Sequence, residues 1–284
     1  MAGATAVAVT EGDRGADAER ALFTEALGSG GPLVVFLPGL GATTRYWRSR
    51  VVALSSRARL MLVDLLGFGH SPKPWLTYSV DAHVSALHRV LEPIGAKEPL
   101  VIVGHSVGAR LAVAYAARHP EHVQQLVLVS VPYFGNGESA RQFTGKRGAA
   151  GWIMTHMVPA ALACLVTRRL LGWALPTLLP NVPREVAEDL TRMTWRSSTS
   201  TLWQVIYEYD LSADLRQIEG RIPLLCLHGD RDQSAPLAPL LALAQQHRQC
   251  TVVVYPGADH SLPLQHPDWI RAHISSVLAG DVIP

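Results

Sequence analysis

One stretch constrains this chain more than any other. The apolar run 99–103, Pro-Leu-Val-Ile-Val, leads into Gly104-His105-Ser106-Val107-Gly108, and the small-residue segment 109–118 follows. The run has the length and Val/Ile content of a buried strand, and the segment after it has the composition of a helix that sits close on a sheet. Ser106 is therefore expected at a strand-to-helix turn. A turn that tight strains the serine backbone, exposes the hydroxyl and leaves no room for side chains two residues to either side, which accounts for Gly104 and Gly108. The helix start adds unbonded N–H groups and the positive end of the helix dipole beside that hydroxyl. These are conditions for a nucleophile.

The same alternation recurs along the chain. After a Gly-rich turn at 28–32, Leu33-Val34-Val35-Phe36-Leu37 is expected as a buried strand ending in Pro38-Gly39-Leu40-Gly41. A helix starting near Thr43 or Thr44 would carry Tyr46, Trp47 and Val51 on its inner face. Strand 59–63 stops at Asp64, loop 65–74 follows, and Ser79 caps a helix to about Pro93. A further strand is expected at 125–129. After a long interruption, strand 222–227, helix 236–247, strand 250–255 and helix 267–278 complete the pattern; an early strand is also expected within 20–27. Strands alternating with helices at this spacing specify a parallel sheet covered on both faces, with ligands binding beyond the carboxyl ends of the strands. The loops after Leu37, Val63 and Val103 then share one rim.

From 133 to 215 no strand is legible, and Trp, Leu, Ala and Arg recur at helical spacing, broken at Pro159, Pro176, Pro180 and Pro183. The expected organisation is thus a core of 1–132 and 216–284 carrying a helical cap of 133–215. His156, Pro159, Arg168 and Arg169 interrupt the most apolar part, 151–179, so a packed cap is expected rather than a membrane span. A net charge of +2 with no Lys/Arg run gives no electrostatic case for nucleic acid, and a small molecule is the expected partner. The sequence does not indicate an oligomeric state. Cys164, Cys226 and Cys250 are too few and too dispersed for a disulfide framework. They fit a reducing, cytoplasmic setting. The segment 1–20 lacks a basic start and carries Glu11, Asp13, Asp17 and Glu19, so it reads as a partly mobile lead-in rather than a secretory signal.

A serine needs a base within hydrogen-bond reach and a third group to orient that base. Of twelve histidines, His260 alone follows the last expected strand in a loop on the same rim, whereas His88 and His273 fall in helices, His119 and His122 at a helix end, and His228 at a strand end. Loop 228–236 offers Asp230 and Asp232. Asp232 is favoured as the orienting acid and Asp230 as a turn former, with the choice between them open. Two backbone N–H groups, of Val107 at the helix start and of Leu40 in the Gly-rich loop, are placed to bind a developing oxyanion. His119-Pro120-Glu121-His122 lacks the spacing that puts two ligands on one helix face, so no metal or organic cofactor is expected.

Taken together, these motifs resemble the α/β-hydrolase fold superfamily, in its serine-nucleophile form with a helical lid inserted after the sixth strand. The order Ser106, Asp232, His260 is similar to that family's, as are Gly-Asp-x-Asp at 229–232 and the Asp-x-x-Gly-x-Gly-x-Ser loop at 64–71, which in relatives structures the rim without doing chemistry. Pro38 departs from the family, where His is common before the oxyanion glycine, and Ala258-Asp259 stands before His260 where glycine is commoner. The resemblance covers about 33–279. It implies hydrolysis of a carboxylic ester through an acyl-enzyme on Ser106, with C–C bond, thioester or lactone hydrolysis on the same groups as the alternative and a non-catalytic small-molecule receptor as the rival from another class. A lid rich in Leu, Ala and Trp and poor in carboxylates suggests an apolar substrate.

Overall fold

All five residues of β2, Leu33–Leu37, are buried, and so are all six of β4, Leu100–His105. Strands apolar on both faces can be covered only in the middle of a sheet with helices on both sides, and these two are hydrogen-bonded neighbours there. In a computed structural model of the protein, residues 20–180 and 182–281 are described; the acidic lead-in at 1–19 lies outside them. Besides β2 and β4 the sheet contains β1 (Thr24–Leu27), β3 (Arg59–Val63), β5 (Val123–Val129), β6 (Leu224–Gly229) and β7 (Cys250–Tyr255). The order across it is β1-β3-β2-β4-β5-β6-β7, with β1 antiparallel to β3 and every other pair parallel.

Alternation along β2 divides the core. Leu33, Val35 and Leu37 join one cluster with Leu87 of α2 (Val80–Gly95) and Leu111 of α3 (Val107–Arg118). Val34 and Phe36 join the other with Trp47 of α1 (Thr44–Val51) and Ile274 near the C-terminus. Each such side chain contributes about 1.5–3 kcal/mol by leaving water, so the two clusters hold the sheet edge that carries the loops.

Boundaries differ from the sequence expectations for local reasons. Helix α2 is capped by the Ser79 hydroxyl as expected but continues past Pro93 to Gly95. A proline in the last turn removes a single intrahelical bond, and the Ala96 and Glu98 amides close the end on Glu92 and Ile94. Strand β6 begins at Leu224 rather than Ile222, because Pro223 has no N–H for the ladder and offers only its carbonyl, to Leu126. The helical segment follows β5 in the described residues, not a sixth strand.

Between β5 and β6 the chain forms α4 (Gly137–Gly145), α5 (Gly148–Met154), α6 (Met157–Val166), α7 (Leu175–Leu178), α8 (Arg184–Asp189), α9 (Trp195–Thr201) and α10 (Leu211–Gln217). After β6 come α11 (Leu237–Gln246), α12 (Leu262–Gln265) and α13 (Pro267–Ala279). Among the described residues no single helix is long and apolar enough to cross a membrane; Gly148–Met154 and Met157–Leu171 meet that test only jointly and are bent by 106°. Polar anchors tie the segment to the sheet. Arg110 of α3, 3% exposed, donates to the carbonyls of Pro132, Val205 and Tyr209, each at 2.6 Å. Asp189 of α8 takes Thr43 and Arg45.

Candidate active site

The turn between β4 and α3 holds Ser106 at φ 54° and ψ −117°, a left-handed backbone that a non-glycine residue adopts only when its surroundings impose it. The surroundings here are backbone. A Cβ on Gly104 would lie 2.5 Å from Ala109 Cα, and one on Gly108 would lie 2.5 Å from the carbonyl oxygens of Leu37 and Pro38. Both glycines are therefore required for β2, β4 and α3 to meet. The Ser106 N–H is spent on Val129 O at 3.0 Å, which leaves its side chain aimed over the rim.

His260 and Asp232 reach the same rim from the loops after β7 and β6. His260 Nε2 lies 2.9 Å from Ser106 Oγ, and His260 Nδ1 lies 2.8 Å from Asp232 Oδ2. The other Asp232 oxygen accepts from the amides of Ser234 at 2.7 Å and Ala235 at 2.8 Å. Burial alone would raise the Asp232 carboxyl, but the His260 bond and the Ala235 amide outweigh it and hold the group below its ordinary value. It is an anion aimed at an imidazole. Asp230 is placed differently: exposed, it accepts from Gly257 N at 2.6 Å and pins the β6 loop to the β7 loop. The structure thus brings Ser106, His260 and Asp232 into one hydrogen-bond chain and leaves Asp230 out of it.

Leu40 and Val107 border the same cavity as Ser106. Val107 is the first residue of α3, and among the described residues neither its N–H nor that of Leu40 is used in a backbone hydrogen bond. Gly39 backs the serine closely enough that a Cβ there would lie 3.3 Å from Ser106 Cβ. The Asp64 loop supports this rim. Asp64, fully buried, accepts from the amides of Thr44 at 2.6 Å and His70 at 2.8 Å, and a Cβ on Gly69 would collide with its carboxylate. The cavity has a volume of about 360 Å³, and the helical segment closes its far side with Met154, Val186, Leu190 and Ile206.

Sequence reasoning missed His105. Its ring stacks on Tyr46 and its Nε2 lies 2.9 Å from the backbone carbonyl of His260. Burial, followed by the nearness of His260, lowers its pKa to about 3, so the ring is neutral and donates through Nε2 to that carbonyl. A polar residue at the buried end of an apolar strand was the available signal. His228, also fully buried and kept neutral by burial, bonds Ala235 O at 2.9 Å and backs the Asp232 loop. Three further histidines, His88, His119 and His122, cluster at the opposite end of α3.

A family model described as alpha/beta hydrolase fold matches residues 32–149. The chain is 27% identical over 247 residues to a probable lysophospholipase, BODYGUARD 4, of Arabidopsis thaliana; the match covers 80% of this chain and 59% of the plant protein's length. It is 26% identical over 252 residues to a putative carbamate hydrolase, RutD, of Caulobacter sp., covering 87% of this chain and 91% of that one. A malate-bound thermophilic esterase from Thermogutta terrifontis superposes with a TM-score of 0.68 at 21% identity, covering 91% of this chain and 93% of the esterase. With the mostly parallel seven-stranded sheet, these findings show that the chain has the α/β-hydrolase fold.

Proposed function

We propose that the protein is a serine hydrolase that cleaves a carboxylic ester of a small, largely apolar substrate through an acyl-enzyme. The observation that carries this reading is the hydrogen-bond chain from Ser106 through His260 to Asp232 in the wall of an apolar cavity. Ser106 Oγ attacks the carbonyl carbon while His260 Nε2 takes its proton. The negative charge that develops on the carbonyl oxygen is bound by the Leu40 and Val107 N–H groups. His260 returns the proton to the leaving alcohol, and water then repeats the sequence to release the acid. Asp232 keeps the proton on His260 Nδ1, so that Nε2 faces the serine as a base. His105 is a positioning residue that holds the His260 backbone. Segment 133–215 acts as the lid over this pocket, and the chemistry needs neither metal nor organic cofactor. A cytoplasmic setting belongs to the same proposal and rests on the cysteine usage.

The test is labelling with a fluorophosphonate probe on the wild type and on Ser106→Ala, the adduct located by mass spectrometry. The expected result is one adduct on Ser106. Turnover of a p-nitrophenyl ester should fall by about 10⁴-fold or more in Ser106→Ala, with the fold unchanged. Labelling elsewhere, or activity retained in the variant, overturns the assignment. Comparing ester, thioester and lactone rates on the wild type then assigns the bond class.

A further inference from the structure

Three histidines that the catalytic reading does not use converge at the C-terminal end of α3. His88 comes from the second half of α2, His119 follows the last residue of α3, and His122 closes the single turn Pro120–His122 before β5. One nitrogen from each lies within 4.8 Å of the other two. Helix α3 separates them from Ser106 by its twelve residues, about 18 Å at the helical rise.

The surroundings suit a cation better than a solvated surface. Glu121 Oε1 lies 3.6 Å from His122 Nε2 and 3.9 Å from His119 Nδ1, so a carboxylate faces the nitrogens. Tyr115 OH lies 3.1 Å from His122 Nδ1. With Nδ1–H donating to that oxygen, His122 Nε2 carries the lone pair, the outer hydrogen bond that orients metal-binding imidazoles. His88 Nδ1 is buried without a hydrogen-bond partner. The nearby Arg118 is held by Asp81 at 2.8 Å and Asp214 at 2.9 Å, so its charge is compensated.

We propose that His88, His119 and His122, completed by Glu121, form a binding site for a zinc-type divalent transition-metal ion. Imidazole nitrogens with one carboxylate are a ligand set for zinc and its neighbours rather than for calcium or magnesium. Binding requires the side chains to turn. The His88 and His119 rings are stacked at 3.9 Å and 5°, with their lone pairs in parallel planes, whereas a tetrahedral ion needs them to converge at roughly 3.3 Å between nitrogens. Both rings border an open groove beside Val84 and Ser85, which leaves room for that rotation. The ion would then cross-link α2 to the segment entering β5, two regions more than thirty residues apart. Because the unfolded chain does not hold these groups together, the ion stabilises the folded state.

The test uses untagged protein near neutral pH, titrated with zinc chloride by calorimetry and followed by thermal unfolding. One zinc per chain, a raised Tm, and no comparable binding of magnesium or calcium are expected. In His119→Ala and, separately, His88→Gln, affinity should fall by at least the roughly 10- to 100-fold that loss of an outer hydrogen bond costs, and the Tm rise should vanish. Ser106 labelling should persist in both variants, which separates this result from the fate of the proposed hydrolase activity. Substoichiometric zinc, or wild-type affinity retained in His119→Ala, overturns the site.

Discussion

Along β2 and β4 every side chain is buried, whereas across α6 and the turns after it Val158, Leu170 and Trp173 stand 69%, 64% and 86% exposed. Both regions are rich in apolar residues, so composition does not distinguish them. Connection does. The middle of the sheet buries its strands on two faces and fixes Ser106 by close backbone contacts, and hydrogen bonds at the same rim hold His260 and Asp232 to it. The helical segment buries one side on the cavity and the sheet, through Leu202, Val205 and Ile206, and is tied down by a few polar anchors such as Arg110 and Asp189. The geometry of the Ser106–His260–Asp232 chain is therefore a property of the sheet rim, and the shape of the pocket is a property of the segment above it.

The sharpest separation of the two comes from Asp232→Asn. The amide oxygen can still accept from Ser234 and Ala235, so the loop stays in place, but the amide N–H presented to His260 Nδ1 forces the wrong tautomer. Turnover should fall by about 10⁴-fold, while the unfolding midpoint moves little. A variant within about tenfold of wild type in kcat would assign the acid elsewhere.

Arg110→Met attacks the joint instead. Three carbonyls lose their donor at once, two of them in the helical segment. Burial lowers the pKa of the guanidinium to about 10, still well charged at neutral pH, so these are charge-assisted bonds. The expected cost is about 3 kcal/mol. Hydrogen exchange at 202–209 should accelerate more than exchange in β4; equal acceleration in both would show that the two regions unfold as one unit.

What the sequence made legible follows the same division. Strands 33–37, 59–63 and 250–255 have the limits that the sequence predicts, because a short apolar run bounded by breakers is a local pattern. The turn at Ser106 was legible too, since a strand-to-helix turn that tight announces its glycines. Contacts that depend on meeting a distant partner were not. Arg110 reads as an ordinary helical arginine until Val205 arrives 95 residues later, and His105 as filler until the His260 carbonyl arrives. His119 and His122 lack the local spacing of a metal pair, and the histidine that meets them, His88, comes from α2.

Acid should loosen both regions through two buried histidines. Burial lowers His105, on the rim, and His83, whose Nε2 lies 3.1 Å from Thr201 Oγ1 of α9, from 6.5 to about 3. Each folded pKa lies below its unfolded value, so the unfolded chain binds the extra proton. The stability these rings contribute is complete above about pH 6.5 and is lost as pH falls from there toward about 3, at roughly 1.4 kcal/mol per histidine per pH unit. In His105→Gln, which retains a donor for the His260 carbonyl, the pH slope of the unfolding free energy should shrink by one proton. An unchanged slope would mean that His105 titrates alike in both states.

The smallest effect is expected where hydrophobicity is greatest. Trp173 is a large apolar side chain, yet at 86% exposure it removes little surface from water, so the energy its size suggests is not realised. Trp173→Ser should change stability by no more than about 0.5 kcal/mol, as surface substitutions do, and should leave ester turnover unaltered. Chemical denaturation at two protein concentrations measures both the size of the change and whether it depends on association. A loss above about 1 kcal/mol, well outside that surface range, would mean that the outer face of the segment is covered in solution. In that case the contrast between a buried rim and an open helical segment would belong to the isolated chain and not to its associated form. A null result at both concentrations leaves the contrast as a property of the fold: apolar residues of the helical segment contribute on the face turned to the pocket, and those turned outward contribute almost nothing to holding it there.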